Sequence, residues 1–150
     1  SREVNDQMPG HVVGLADGAL DGLENKRIAV LGYAFKRGTD DTRNTPAKPI
    51  VERLGDHSAH IQITDPHVPD EQIEDEVKIN PVELIAALEN ADAVILVTGH
   101  GQYRELSPES LIDYVGSESF IVVDGRHVFD PDDFTKTAVD YHGVGRGTHE

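Results

Sequence analysis

Residues 27–55, RIAVLGYAFKRGTDDTRNTPAKPIVERLG, contain the two patterns that decide the fold class. Arg27–Leu31 is an apolar run of strand length, and a loop opening at Gly32 follows it. Residues 46–54 then carry apolar side chains at helical spacing, with Gly55 where a C-cap is expected. An apolar strand, a loop and an amphipathic helix predict the first half of a βαβ unit.

Strand and helix patterns alternate along the rest of the chain. We predict further strands at His60–Thr64, 93–98 and 120–123, helices near 81–89 and at 108–114, and an acidic loop over 65–76. The run at 93–98 is almost wholly apolar, as is typical of a parallel strand covered on both faces. The predicted fold class is therefore α/β, an open, mostly parallel Rossmann-like sheet with helices on both faces.

An N-terminal helical segment precedes this unit. Its apolar residues recur at intervals of three or four and are Val4, Met8, Val12, Ala16, Leu20 and Leu23. Pro9 and Gly10 interrupt the pattern, which predicts a kink or a break. Because the chain opens on Ser1 within this pattern, we expect a fragment of a longer protein.

Composition excludes several function classes. The chain of 150 residues has no run of about 20 apolar residues and no visible secretory signal, so we expect a soluble, cytoplasmic protein without a membrane partner. It has no cysteine, and therefore no disulfide, no thiolate metal site and no thiol nucleophile. Its net charge of −15 argues against nucleic-acid binding, which needs clustered lysine and arginine.

The acidity also suggests a salt-adapted protein. Acidic residues number 28 against 13 basic ones, and they are spread along the chain rather than gathered in a tail. Molar salt screens most of the self-repulsion that such a surface creates. We expect a halophilic source, the alternative being an ordinary acidic cytosolic protein.

The loop after the first strand has the features of an anion site. Ligands bind at the carboxyl ends of the strands in such sheets, and Gly32 lies at one of these ends. Thr45 is a candidate N-cap and Pro46 a helix start, and a helix N-terminus favours phosphate. The loop carries three cations: Lys36, Arg37 and Arg43.

One alternative for this loop stays open on physical grounds, and a dinucleotide site is not supported. Asp40 and Asp41 could simply pair with the cations on a polar surface loop. The dinucleotide fingerprint G-x-G-x-x-G is absent from the turn. Asp65 ends the second strand, where an acid would hold an NAD ribose, but without that fingerprint we interpret it as a turn-former before Pro66.

Three segments together resemble a known family. They are LGYAFKRGTDDTRNTPA at 31–47, VVDGRHVFDP at 122–131 and YHGVGR at 141–146. In this order they resemble the C-terminal, UDP-binding domain of the UDP-glucose/GDP-mannose dehydrogenase family, over essentially the whole chain. Tyr33 and Thr45 depart from that pattern, since leucine and serine are more usual there.

The resemblance implies roles for four residues. Phe35 and Lys36 should contact the sugar nucleotide, with Lys36 at the diphosphate or the sugar. Arg126 should reach the substrate across the cleft, in the same or a partner subunit, and Arg43 should approach NAD. Arg37 receives no role.

Family membership would also imply a reaction. Members oxidise the C6 hydroxyl of a UDP-sugar to a carboxylate in two hydride transfers to NAD, through a thioester on a cysteine. Because NAD is bound mainly by an N-terminal domain and this chain has no cysteine, we expect no catalytic residue in it and no activity from it alone.

The resemblance further implies an organisation and a substrate class. Residues 1–24 would be the end of an interdomain, dimerising helix, and residues 25–150 the UDP-sugar-binding domain. The full-length protein would be a homodimer that makes uronic acid precursors for polysaccharide. The histidine of VTGH, residues 97–100, and the opening residues favour UDP-N-acetylmannosamine or UDP-N-acetylglucosamine over UDP-glucose.

Other function classes have weaker support. A stand-alone nucleotide-binding or regulatory module without turnover is the main alternative, and a flavodoxin-like response domain lacks its acidic residue after the first strand. The eight histidines have no metal-ligand spacing, so we expect no metal site and interpret them as surface or capping residues.

Overall fold

The computed structural model describes residues 2–34, 38–43 and 45–144, and the side chains of this part from Pro9 onward. The strands are β1 Arg27–Leu31, β2 His60–Thr64, β3 Ala93–Leu96, β4 Ile121–Asp124 and β5 Asp140–Gly143. The helices are α1 Arg2–Leu20, α2 Ala47–Asp56, α3 Asp70–Val77, α4 Leu84–Leu88, α5 Gly101–Arg104 and α6 Pro108–Val115, with a 3-10 turn at Pro131–Phe134.

The five strands form one parallel sheet in the order β2-β1-β3-β4-β5. The chain moves outward from β1 to β2 and then crosses back to β3, so the strand order switches direction between β1 and β3. Leu31, at the end of β1, pairs in register with Thr64 of β2 and Leu96 of β3. The loops that follow these strands therefore meet at one edge of the sheet, and the predicted α/β class is confirmed.

Apolar cores cover both faces of the sheet. One contains α1, α2 and α3, represented by Ala16, Leu54 and Ile73. The other contains α4 and α6, represented by Leu88 and Leu111. The inner strands β1, β3 and β4 are buried, which explains why their sequences are mostly apolar, whereas the edge strands β2 and β5 are partly exposed and carry polar residues.

The N-terminal helix is continuous. Pro9 lies inside α1, so of the predicted kink or break, the break is wrong. Val12 and Ala16 are buried against the core that includes Leu54 of α2. The second half of α1 thus packs as part of the same hydrophobic unit as the sheet.

Helix α2 differs at both ends from the prediction. Its N-cap is Pro46, not Thr45, although the Thr45 hydroxyl still accepts the Ala47 N–H at 3.1 Å. Gly55 lies inside the helix, which ends at Asp56 with His57 as the C-cap. The Thr45 hydroxyl thus still satisfies the N–H of the first helical residue, although Thr45 precedes the N-cap by one residue.

The predicted acidic loop is wrong from Asp70 onward, because α3 begins there. Asp70 and Glu71 lie in its first turn, where carboxylates complement the helix dipole. The helix packs on the core through one buried side chain, that of Ile73. The four-residue α5 was likewise not predicted. Within the described residues, no helix combines the length and apolar composition needed to cross a membrane.

Candidate functional site

In sheets of this kind the ligand crevice lies where the strand order switches direction, which here is at the loops that follow β1 and β3. Gly32 has a φ of +99°, and a Cβ built on it would lie 2.5 Å from the Thr98 Cβ. Only glycine fits both this backbone and this approach. Thr98 is buried, and its hydroxyl donates to the Ala34 carbonyl at 2.6 Å. The loops after β1 and β3 are therefore held in direct contact.

Asp65, directly after β2, joins the second strand to the same loops. Its Oδ2 accepts the backbone N–H groups of Tyr33 and Ala34 at 2.7 and 2.9 Å. Its Oδ1 accepts those of His67 and Val68 at 2.7 and 3.2 Å. The predicted turn-former is thus confirmed as such by Oδ1, and Oδ2 adds a contact between two loops that the sequence did not predict.

His100 completes this arrangement from the loop after β3. Its ring is fully buried, with Nε2 2.9 Å from Oδ2 of Asp65 and Nδ1 2.8 Å from the backbone nitrogen of Gly38. A backbone N–H can only donate, so Nδ1 is the acceptor and Nε2 carries the proton. The interpretation of the histidines as surface or capping residues needs a correction for His100: it is the N-cap residue of α5, but its side chain is buried and makes no capping bond.

Asp65 is held in its ionised form. Burial alone would raise the pKa of its carboxyl. The hydrogen bonds from His100 and from the backbone of Tyr33, Ala34 and His67 together outweigh burial and leave that pKa below its ordinary value. Because the imidazole of His100 is neutral, the Asp65 carboxylate carries a net negative charge that is buried at the carboxyl ends of the strands.

A second group of contacts ties the loop to α3. The hydroxyl groups of Tyr33 and Thr42 donate to the two carboxylate oxygens of Glu76, each at 2.8 Å. The Gln72 amide donates to Thr42 at 2.9 Å. Burial and the bond to Glu76 raise the pKa of Tyr33, so its hydroxyl remains a donor. Tyrosine in place of the more usual leucine therefore has a structural partner here.

Arg126 lies on the far side of the crevice, on a turn built by Asp124. The buried Asp124 accepts the backbone N–H groups of Arg126 and Val128 on Oδ1 and that of Phe129 on Oδ2. The half-buried Arg126 side chain returns to the loop after β3, where Nε donates to the Val97 carbonyl at 2.8 Å. Burial lowers the pKa of this guanidinium.

The rest of the Arg126 guanidinium makes no hydrogen bond to any residue in the described part of the chain. Its terminal nitrogens are therefore donors that an anion could use. Arg104 of α5 steadies the same region, with Nε donating to the Gly99 carbonyl and Nη1 to the His127 carbonyl, both at 3.4 Å.

The predicted site residues have different outcomes. Phe35 and Lys36 lie outside the described residues. The Arg43 side chain is 87% exposed and forms a bidentate pair with Asp41, both bonds being 3.0 Å. That pair raises the pKa of Arg43, and it matches the alternative in which the acids of the loop pair with its cations.

Sequence reasoning missed the residues that organise the edge: Asp65 as a link between loops, Thr98, His100 and Asp124. Each follows, or ends, a strand, and that position is the signal that could have selected them. Their partners lie up to 64 residues away, which no local pattern reports.

The first β-α-β unit does not fit NAD. In addition to the missing glycine fingerprint, the Asp65 carboxylate already accepts five hydrogen bonds and is buried. It has no oxygen available for a ribose hydroxyl. The Asp65 carboxylate therefore serves to hold the neighbouring loops together and not to bind a cofactor.

Known proteins resemble the whole chain. UDP-N-acetyl-D-mannosamine dehydrogenase of Pyrococcus horikoshii is 32% identical over 98% of this chain and 33% of its own length. The structure of an NDP-N-acetyl-D-galactosaminuronic acid dehydrogenase from Methanosarcina mazei superposes with a TM-score of 0.87, at 31% identity, over 97% of this chain and 30% of that one. A UDP-glucose dehydrogenase from Pyrobaculum islandicum gives a TM-score of 0.77 at 28% identity, over 95% and 30%.

The chain spans about a third of the length of these relatives. A family model described as the UDP binding domain of the UDP-glucose/GDP-mannose dehydrogenase family matches residues 29–131. This match covers both motif-bearing loops and confirms the resemblance inferred from the motifs. The protein therefore belongs to the UDP-glucose/GDP-mannose dehydrogenase family and contains its C-terminal UDP-binding domain.

Proposed function

We propose that this chain binds the UDP part of a UDP-sugar at the crevice between β1 and β3. The observation that carries the proposal is that the loops after β1 and β4, which hold Lys36 and Arg126 respectively, both attach to residues 97–100 after β3. In the proposal Lys36 meets the diphosphate or the sugar, Phe35 contacts the nucleotide, and Arg126 approaches from the opposite side.

The chemistry of Arg126 supports this role. One nitrogen, Nε, fixes the guanidinium on the Val97 carbonyl, and the terminal nitrogens remain as donors. A guanidinium in this state binds a phosphate with little loss of side-chain freedom. Because the chain as a whole carries a net charge of −15, local cations are required to offset the repulsion of a diphosphate.

The complete reaction is proposed from the family. An NAD-dependent UDP-sugar 6-dehydrogenase oxidises the C6 hydroxyl to a carboxylate, and NAD takes up the hydrides when it is bound. We assign NAD mainly to another domain, with Arg43 approaching it from this one. The catalytic cysteine likewise belongs elsewhere, since this chain has none, so the chain by itself does not turn over.

Finer assignments follow from the same proposal. Residues 1–24 belong to an interdomain, dimerising helix and 25–150 to the UDP-sugar-binding domain of a cytoplasmic homodimer that supplies polysaccharide precursors. The proposed substrate is UDP-N-acetylmannosamine or UDP-N-acetylglucosamine rather than UDP-glucose. A relative named for UDP-N-acetyl-D-mannosamine supports this choice, while others of similar identity are named for UDP-glucose.

Isothermal titration with UDP tests the binding role. Lys36→Ala and Arg126→Ala should each weaken binding about 10- to 100-fold, because each removes a charged hydrogen-bond donor to phosphate. Lys26→Ala is the matched control: it also removes one positive charge, but Lys26 precedes β1 and so lies at the opposite edge of the sheet. Unchanged affinity in both site variants would overturn the assignment.

The alternative is a stand-alone nucleotide-binding or regulatory module without turnover. The absence of cysteine from the chain favours it over an independent enzyme. Mixing the chain with UDP-sugar, NAD and the remaining domains of a relative distinguishes the two. NADH formation that depends on this chain supports the dehydrogenase, and its absence with intact UDP binding supports the module.

We also propose that the acidic surface is an adaptation to high salt. Raising sodium chloride from about 0.1 M to above 1 M shortens the Debye length from about 10 Å to about 3 Å and so relieves the repulsion among acidic residues. The melting temperature of this chain should therefore rise across that range in differential scanning calorimetry. A melting temperature that stays level or falls would leave an ordinary acidic protein as the explanation.

A further inference from the structure

Residues 97–100 hold the β1 loop on both sides of residues 35–37. On the first side, the Thr98 hydroxyl donates to the Ala34 carbonyl at 2.6 Å, and Asp65 accepts the Ala34 N–H. On the second side, Nδ1 of His100 accepts the Gly38 N–H at 2.8 Å. Ala34 and Gly38 are thus bonded to one short segment of the neighbouring strand's loop.

We propose that Thr98 and His100 are positioning residues for UDP binding, which act by fixing Ala34 and Gly38 on either side of Lys36. The inference rests on the proposed function, since it concerns the same crevice. Neither residue needs to touch UDP.

The ring of His100 suits this task because it has two different ends. A neutral imidazole donates from one nitrogen and accepts at the other. Here the donor end faces the Asp65 carboxylate and the acceptor end faces Gly38. Asp65 therefore fixes which nitrogen carries the proton, and that choice leaves Nδ1 as the acceptor for the loop.

Gly38 depends on this bond for its place. It is exposed and has a φ of +72°, a conformation that suits glycine, and among the residues that the structure describes no atom lies within 4 Å of the position its Cβ would take. Side-chain packing therefore cannot hold it. The His100 ring, in contrast, is fully buried and lies 4.5 Å from the ring of His67 and 5.6 Å from that of Tyr103. A rigid ring thus holds a residue that has no side chain of its own to pack.

Two substitutions of His100 separate its two bonds. His100→Asn keeps an acceptor near the position of Nδ1 and loses the donor to Asp65. His100→Gln keeps a donor near the position of Nε2 and loses the acceptor for Gly38. If His100 acts through Gly38, H100Q should weaken UDP binding about 3- to 10-fold in isothermal titration, whereas H100N should stay within about twofold of the native chain.

The amide hydrogen exchange of Gly38, followed by NMR, gives a second readout that does not require UDP. Exchange should accelerate in H100Q and stay near the native rate in H100N. If both His100 variants fail to fold, Thr98→Val and Thr98→Ser replace them: the valine is nearly isosteric but cannot donate to Ala34, and the serine restores the donor. Thr98→Val should then weaken UDP binding 3- to 10-fold and Thr98→Ser should not.

The outcomes separate this inference from the proposed function. If the native chain does not bind UDP, both fail. If it binds UDP and Lys36→Ala weakens binding, but H100Q and H100N lose affinity equally or not at all, only the positioning role is overturned.

Discussion

Two buried aspartates at the same edge of the sheet perform related tasks with different reach. Asp65 and Asp124 each accept two backbone N–H groups of the following turn on Oδ1. The two aspartates differ in the partners of the other carboxylate oxygen, Oδ2. In Asp124 it accepts the Phe129 N–H and the Tyr141 hydroxyl, whereas in Asp65 it accepts from the loop after β1 and from His100 after β3.

The difference shows how the two sides of the crevice are organised. The Arg126 side is fixed mainly by its own turn and the neighbouring strand β5. The Lys36 side is assembled from three separate loops, and the Asp65 carboxylate is their common acceptor. We therefore expect a substitution of Asp65 to disturb all three loops, and a substitution of Asp124 to disturb mainly the turn that follows it.

Truncation of each carboxylate should reveal the largest difference between the two aspartates. Asp65→Ala should lower the free energy of unfolding by about 3–5 kcal/mol, because five donors lose their acceptor and several of them are buried. Asp124→Ala should cost less, about 2–3 kcal/mol, since the N–H groups of Arg126 and Val128 are only partly buried and can reach water.

Urea denaturation measures the difference in stability, and titration of the folded variants with UDP measures the effect of each substitution on affinity. Asp65→Ala should abolish measurable binding, while Asp124→Ala should reduce affinity about tenfold by releasing Arg126. A larger loss of both stability and affinity in Asp124→Ala would reverse the comparison.

A smaller difference between the two aspartates is expected in the stability of the protein at acid pH. Because the pKa of folded Asp65 lies below its ordinary value, the unfolded chain binds more protons than the folded one as the pH falls. The stability from this carboxylate is fully present above the ordinary aspartate pKa of about 3.9 and is lost as the pH falls through the folded pKa. The advantage of the native chain over Asp65→Asn should therefore be constant from about pH 7 to 5 and shrink below about pH 4.

Urea denaturation at a series of pH values provides this measurement, with Asp124→Asn titrated in parallel. An advantage over Asp65→Asn that persists undiminished to about pH 3 would contradict the lowered pKa.

Strands β1, β3 and β4 were predictable because they are short, mostly apolar runs that are buried in the sheet. Strand β5 is polar and partly exposed at the edge of the sheet, so no apolar pattern indicated it. Helix α3 was not predicted, since the run Asp70–Val77 has a single fully buried residue, Ile73, and reads as a solvated acidic segment. Pro69 and the acids of the first turn were the available signals for its start. Helix α5, at four residues, is too short for a periodic pattern.

The candidate site was predictable only where a residue's role follows from its own motif. The motifs indicated the loop of Lys36 and the turn of Arg126, and both residues keep their predicted roles as proposals. The position of His100 after β3 could have selected it, but its role could not be predicted, because its partners are Asp65, which is 35 positions away, and the backbone N–H of Gly38. A buried polar network is a property of the folded edge and leaves no local pattern.

The contact between Gly32 and Thr98 also constrains how this family member can diverge. A Cβ at position 32 would lie only 2.5 Å from that of Thr98. Substitution at position 98 does not free position 32, because the backbone nitrogen of Thr98 would also lie only 2.8 Å from that Cβ. Glycine at position 32 is therefore required by the backbone of the loop after β3, whatever side chain residue 98 carries, while the Thr98 hydroxyl is retained for its bond to Ala34.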